Sequence, residues 1–172
     1  MASKTGFDYA PKAANTTKVV QPGEFAFAAA FLDHGHIFGQ CNGLIEAGAE
    51  LKCVYDPDSE KVAKFLESHP GTPVAESFEA VLADPDIKLV AAAAIPNQRA
   101  GIGIRVMEAG KDYFTDKCPF TTLEQLEDVR TKVAETGRRY MVYFSERLHV
   151  ESAVMATKLV QDGAVGDVVS VM

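Results

Sequence analysis

Three short stretches of this 172-residue chain carry residues able to do chemistry together. Asp33-His34-Gly35-His36 opens a helical pattern that runs from Ile37 to Ala47. Asp56 closes a short apolar segment, Leu51 to Tyr55, and Asp116-Lys117-Cys118-Pro119 follows another, Tyr113 to Thr115. Backbone N–H groups at a helix N-terminus face a pyrophosphate well, and an acid roughly 20 residues further on grips a ribose hydroxyl. On that logic Gly35, His36 and Ile37 are the candidate pyrophosphate cradle, with Asp33 and His34 beside them. Asp56 is the candidate ribose ligand. Asp58, placed before Ser59-Glu60-Lys61, is assigned to helix capping instead. An acid at position 56 suits a free 2′-hydroxyl and repels a 2′-phosphate, so NAD is favoured over NADP.

The turn departs from a standard glycine fingerprint. Aligned on strand and helix, the three glycine positions hold Asp33, Gly35 and Phe38, with Gly39 one place late. Asp33 tolerates a left-handed conformation, but its charge repels phosphate if it points inward. The plain alternative is an ordinary turn with surface histidines. A second glycine pair, Gly101-Ile102-Gly103, lies inside a helical pattern and reads as close helix–sheet packing. Lys117 follows a strand, where a lysine can orient a hydroxyl or carbonyl during hydride transfer. Alone it reads more readily as a solvated loop lysine. Pro96-Asn97 and Ser145-Glu146-Arg147 stand at strand ends on the same edge, and Glu146 and Arg147 are candidate substrate contacts. Their alternative role is an ion pair at a domain boundary. Cys118 has no His or acid partner and is assigned as a small buried side chain. His34 and His36 diverge if the chain is extended, and an i, i+2 pair does not suit a helix, so no structural metal is predicted.

These residues need a scaffold of alternating strands and helices. Phe25–Leu32, Leu51–Tyr55, Leu89–Ile95, Tyr113–Thr115 and Tyr140–Phe144 read as strands, with Thr72–Ala75 as a short third in chain order. The unbroken run Leu89–Ile95 suits a parallel strand covered on both faces. Helices are expected from Asp58 to Ser68, from Ser77, from Gln98 to Ala109 and from Thr122 to Thr136. The expected fold is α/β, a doubly wound parallel sheet in the order 3-2-1-4-5-6. Residues 1–23 read as a loosely ordered extension and 24–146 as a dinucleotide-binding domain. Residues 147–172, with a helix around Val150–Leu159 and a strand after Gly166, read as the truncated start of a second α/β domain.

Bulk properties narrow the function. A net charge of −7 lacks the basic face a general nucleic-acid binder needs. No apolar run reaches the roughly 18 residues of a membrane span. Three cysteines without a CxxC pair point to a reducing cytoplasm.

Several segments together resemble the Gfo/Idh/MocA family, the glucose–fructose oxidoreductase and inositol dehydrogenase-like proteins. They are His34-Gly-His-Ile-Phe-Gly39, Tyr55-Asp-Pro-Asp58, Pro96-Asn97, Glu108-Ala-Gly-Lys-Asp-Tyr-Phe-Thr-Asp-Lys117 and Asp162-Gly-Ala-Val-Gly-Asp-Val168. The resemblance implies a Rossmann domain binding NAD(P) and a second α/β domain that holds substrate and builds homo-oligomers. It also implies hydride exchange at a hydroxyl carbon of a sugar, cyclitol or related polyol. Lys117 matches the family lysine that contacts nicotinamide and substrate, with Asp116 in place of the common Glu and Cys118 in place of the usual proline. Two other outcomes stay open: a lyase that retains NAD, and a non-catalytic sensor domain of the same fold.

Overall fold

A computed structural model of the chain describes residues 18–145, 147 and 150–170. It divides into a compact unit from Thr16 to Tyr143 and a second that takes in Phe144 onward. In the larger unit the chain runs β1 (Ala26–Ala30), α1 (His36–Glu46), β2 (Glu50–Tyr55), α2 (Ser59–Ser68), α3 (Phe78–Ala83) and β3 (Ile87–Ala92). A 3-10 turn at Pro96–Gln98 leads into α4 (Arg99–Glu108), then β4 (Asp112–Asp116), α5 (Leu123–Thr136) and β5 (Tyr140–Tyr143). The second unit contains α6 (Glu151–Gln161), and residues 166–170 form no strand. No helix among the described residues is long and apolar enough to cross a membrane.

All five strands are parallel, in the order β2-β1-β3-β4-β5. The expected third strand, Thr72–Ala75, shrinks to one bridge, Val54 to Val74, on the outer side of β2. Proline explains the loss, since Pro73 has no N–H for a ladder. Only its carbonyl takes part, accepting from Val54 N at 2.9 Å. With that remnant counted, the strand order is the doubly wound one.

Right-handed crossovers put α1 and α2 on one face, where Phe27, Ala29, Ile37, Cys41, Val62 and Phe65 are buried. The other face carries α3 and α4, with Ala28, Cys53, Phe78, Val90, Ile102 and Val106. Alternate residues of β1 and β3 therefore serve opposite cores, and a strand buried on both faces reads as a continuous apolar run. Most of those central positions are alanines: Ala28 to Ala30 and Ala91 to Ala94 are all fully buried. Small side chains let the helices lie close against the middle of the sheet.

The helices start and stop where the sequence supplies caps. Asp58, Ser77 and Thr122 accept from the N–H of Glu60, Ala80 and Gln125, the expected service to orphan donors of the first turn. Gly137 closes α5 in the left-handed conformation, with φ 65°. At the chain's start, Val19 N donates to Ala47 O at 2.8 Å, so the end of the expected loose extension is tied to the foot of α1. Residues 1–17 lie outside the described residues.

Two glycines sit where a side chain would not fit. A Cβ on Gly103 would stand 2.4 Å from the Tyr140 ring and 2.6 Å from that of Tyr113, so α4 lies on the sheet only because this position is bare. A Cβ on Gly39 would stand 2.6 Å from the Tyr143 hydroxyl. Gly39 thus does for α1 what the third fingerprint glycine does in a standard turn. Gly101 has open space instead.

The packing sets two expectations. Gly103→Ala should destabilise the chain by about 1–3 kcal/mol through overpacking. Gly101→Ala should be neutral or stabilising by up to about 1 kcal/mol through helix propensity. Urea unfolding of the two variants measures the contrast, and equal effects would refute the packing role. The thiols should also separate. Burial pushes Cys41 up to about 12 and raises Cys53, whereas Cys118 is exposed. A thiol reagent should modify Cys118 alone in the folded chain and all three cysteines after denaturation.

Candidate functional site

β1 ends abruptly. Phe31 adopts a left-handed φ of 52°, which costs a non-glycine residue roughly 1–2 kcal/mol. Its backbone is held on both sides, the N–H by Tyr55 O at 3.1 Å and the carbonyl by Ala93 N at 3.0 Å. Its ring packs edge-on against Phe78 and Tyr55. The break throws the next four residues across the top of the sheet, between β1 and β3. There the strand order of the sheet reverses, which is where open α/β sheets bind ligands.

A hollow opens at this point, lined by Asp33, His34, His36, Ala94, Ile95, Pro96, Arg99, Asp116 and Lys117. Six of the residues singled out in the sequence meet here: Asp33, His34, His36, Pro96, Asp116 and Lys117. Gly35 and Ile37 instead face an adjoining groove between α1 and α2, with Lys61 and Lys64 on its far wall. Asn97 is exposed, and its carbonyl accepts from the Gln125 side chain at 3.0 Å. Arg147 is described only in the second unit, and Glu146 lies outside the described residues.

Asp116 is the centre of the hollow and is 1% exposed. Four groups surround its carboxylate. His36 Nδ1 stands 2.8 Å from Oδ1, Lys117 N donates to Oδ1 at 2.8 Å, His34 Nδ1 lies 3.3 Å from Oδ2, and Arg99 donates to Oδ2 at 3.4 Å. Arg99, also buried, spends its remaining donors on carbonyls at the strand ends. Its Nε donates to Ala94 O at 2.6 Å, and Nη1 donates to Lys117 O and, at 3.1 Å, to Cys118 O. One guanidinium thereby fastens the end of β3 to the end of β4, and a buried carboxylate is tolerable only with such a partner.

The sequence reading missed Arg99. Its one signal was an arginine at the start of an otherwise apolar helix, directly after a strand end. The reading also set His34 and His36 apart as if the chain were extended. They instead occupy the turn and the first helical residue, with ring centroids 4.3 Å apart and both Nδ1 atoms on Asp116. Cys118, expected to be buried, is exposed, because β4 ends at Asp116 and the chain has already left the sheet.

The α1 N-terminus carries no acid and no side-chain cap from Gly35. Its first N–H, that of His36, donates to His34 Nδ1 at 3.2 Å. An imidazole therefore caps the helix, and that ring, 54% exposed, rests edge-on against the His36 ring. Asp33 points sideways and pairs with Lys61 at 2.8 Å. That pairing holds Lys61 above the ordinary lysine range, with Asp56 and Asp58 adding to it. Asp56 is 8% exposed, and both its oxygens are engaged: Oδ2 accepts from Leu32 N at 2.6 Å and Oδ1 from Asp58 N at 2.8 Å. It ties the end of β2 to the end of β1. A carboxylate has about four lone-pair sites, so two remain for a ligand.

Comparison with known proteins gives a consistent answer. Residues 27–144 match a family model described as an oxidoreductase family with an NAD-binding Rossmann fold, Gfo/Idh/MocA. A protein of Erwinia carotovora atroseptica SCRI1043, provisionally named an oxidoreductase, is 50% identical over 84% of this chain and 44% of its own, with a TM-score of 0.81. An NAD-binding protein from Listeria innocua (21% identity, TM-score 0.69, 83% of this chain and 42% of its own) shares the fold. So does scyllo-inositol dehydrogenase from Lactobacillus casei (18%, TM-score 0.68, 83% and 44%). The chain spans less than half the length of each of these relatives. No curated protein matches it. The five-stranded parallel sheet, the hollow at its switch point and the match over residues 27–144 together place the chain in the Gfo/Idh/MocA oxidoreductase family.

Proposed function

We propose that this chain supplies the cofactor domain of an NAD-dependent oxidoreductase. The reaction moves a hydride to or from a hydroxyl-bearing carbon of a sugar, cyclitol or similar polyol. Residues 24–146 form the dinucleotide domain in this reading, and 147–172 begin a substrate and oligomerisation domain to which Glu146 and Arg147 present substrate contacts. The observation that carries the proposal is the hollow between the ends of β1, β3 and β4, where Lys117 stands beside His34, His36 and Asp116. NAD, when bound, supplies the hydride acceptor. The chain's own residues bind and orient it.

The residues present fit that role in three places. The first turn of α1 carries no acid, Asp33 is turned onto Lys61, and swinging the exposed His34 ring aside releases the His36 N–H toward a pyrophosphate. Asp56 holds two backbone N–H groups and keeps lone pairs for the adenosine ribose. Lys61, the lysine of the first turn of α2, is ringed by Asp33, Asp56 and Asp58. Its charge is already balanced, so it offers little to a 2′-phosphate, and this supports NAD over NADP. Pro96 walls the nicotinamide end, where Lys117 orients the reacting hydroxyl and Asp116 fixes the backbone of Lys117.

Calorimetric titration of the folded chain with NAD and NADP tests the proposal. NAD should bind saturably and at least about tenfold more tightly than NADP. Asp56→Asn, which keeps the side chain's shape and removes its charge, should weaken NAD binding by roughly 10- to 100-fold, the worth of a hydrogen bond to a charged group. No saturable binding of either dinucleotide to folded chain would overturn the cofactor reading. Unchanged NAD affinity in Asp56→Asn would overturn the ribose assignment alone.

A further inference from the structure

Beyond cofactor binding, we propose that His34, His36 and Asp116 form a binding site for a divalent transition-metal ion of the zinc type. The three side chains each offer one ligand atom, and those atoms lie within 4.8 Å of one another. They come from two parts of the chain that the sheet brings together, the turn after β1 and the end of β4.

The hydrogen-bond pattern shows why a cation belongs there. In the tautomer that leaves Nδ1 unprotonated, His34 Nδ1 accepts the N–H of His36 at 3.2 Å. Yet Asp116 Oδ2, also an acceptor, stands 3.3 Å from the same nitrogen. Two acceptors face each other at the distance that adjacent ligands keep around a tetrahedral ion, about 3.3 Å for bonds of about 2.0–2.1 Å. A cation between them turns the repulsion into two bonds. Arg99, donating to Oδ2 at 3.4 Å, stands behind the carboxylate and holds it in place, as groups behind metal ligands do.

Two imidazoles and a carboxylate suit zinc, cobalt(II) or nickel, whereas magnesium and calcium prefer oxygen alone. Three protein ligands leave a fourth position open toward the hollow lined by Ile95, Pro96 and Lys117, where an oxygen donor can enter. His36 Nδ1 hydrogen-bonds with Asp116 Oδ1 across 2.8 Å. When the ion binds, that nitrogen gives its lone pair to the metal and the neutral ring carries its one proton on Nε2. The cationic neighbours Arg99 and Lys117 lower the affinity.

Titration of the chain with zinc in a non-chelating buffer, without dinucleotide, tests the site independently of the NAD reading. One ion per chain should bind saturably. His34→Gln and His36→Gln should each weaken binding at least about tenfold. His69→Gln, whose ring stacks on Phe65 and Phe38 and is no member of the cluster, should leave binding unchanged. His34 is more than half exposed, so its variant tests the ligand without disturbing the core. Cobalt(II) should give the intense visible bands of a four-coordinate ion. No saturable zinc binding by folded wild-type chain would overturn the proposal. Affinity unchanged in His34→Gln, or lost in His69→Gln, would do so as well. Binding of magnesium in preference to zinc would overturn the assigned ion class.

Discussion

The upper edge of this sheet depends on a single buried ion pair. Arg99 and Asp116 are both almost wholly withdrawn from water, a position that costs several kcal/mol per charge unless geometry and hydrogen bonding compensate. Here they do, because the guanidinium also satisfies three carbonyls that the strand ends would otherwise leave exposed to the hollow. The same carboxylate positions both histidines and the Lys117 backbone. Every group with chemistry in the hollow is therefore referred to one rigid point. A site assembled from two separate loops gains from that common anchor, since small displacements of reacting groups are costly.

The walls of the site follow from small residues lower down. Alanines in β1 and β3 let α1 and α4 approach the sheet, and bare positions at Gly39 and Gly103 admit Tyr143, Tyr113 and Tyr140 beneath the helices. Tyr143 in turn lies edge-on to the His36 ring at 5.9 Å. The packing of β5 thus reaches the hollow through one aromatic contact, which links the last strand to the turn after the first.

The scaffold was readable because its signals are local. Apolar runs of strand length, caps at Asp58, Ser77 and Thr122, and glycines after helices each act within a few residues, and the elements lie where those signals put them. The strand at Thr72–Ala75 was read too generously, since Pro73 removes a ladder donor and leaves a single bridge. The site was only partly readable. Lys117, Asp116 and the histidine turn were visible as strand-end residues, but their convergence joins positions 80 apart in the chain. No spacing rule reaches across that distance. Arg99 stayed hidden for the same reason, because a buried arginine and an exposed one look alike in sequence. Gly39 was legible as a glycine out of place, and its purpose needed the Tyr143 hydroxyl to be seen.

Phe31 carries one more implication. Its left-handed backbone is clamped between Tyr55 and Ala93, and its ring is wedged against Phe78. The strand is thereby terminated from below, by groups that take no part in the loop above. Most sheets of this kind assign that corner to a glycine in the loop itself, so loop and fold must change together. Separating the two tasks frees Asp33 to His36 from any duty in shaping the backbone of β1. The corner becomes a socket into which different loop chemistries can be fitted, with Asp33 and Phe38 in this chain occupying places that glycine would otherwise hold.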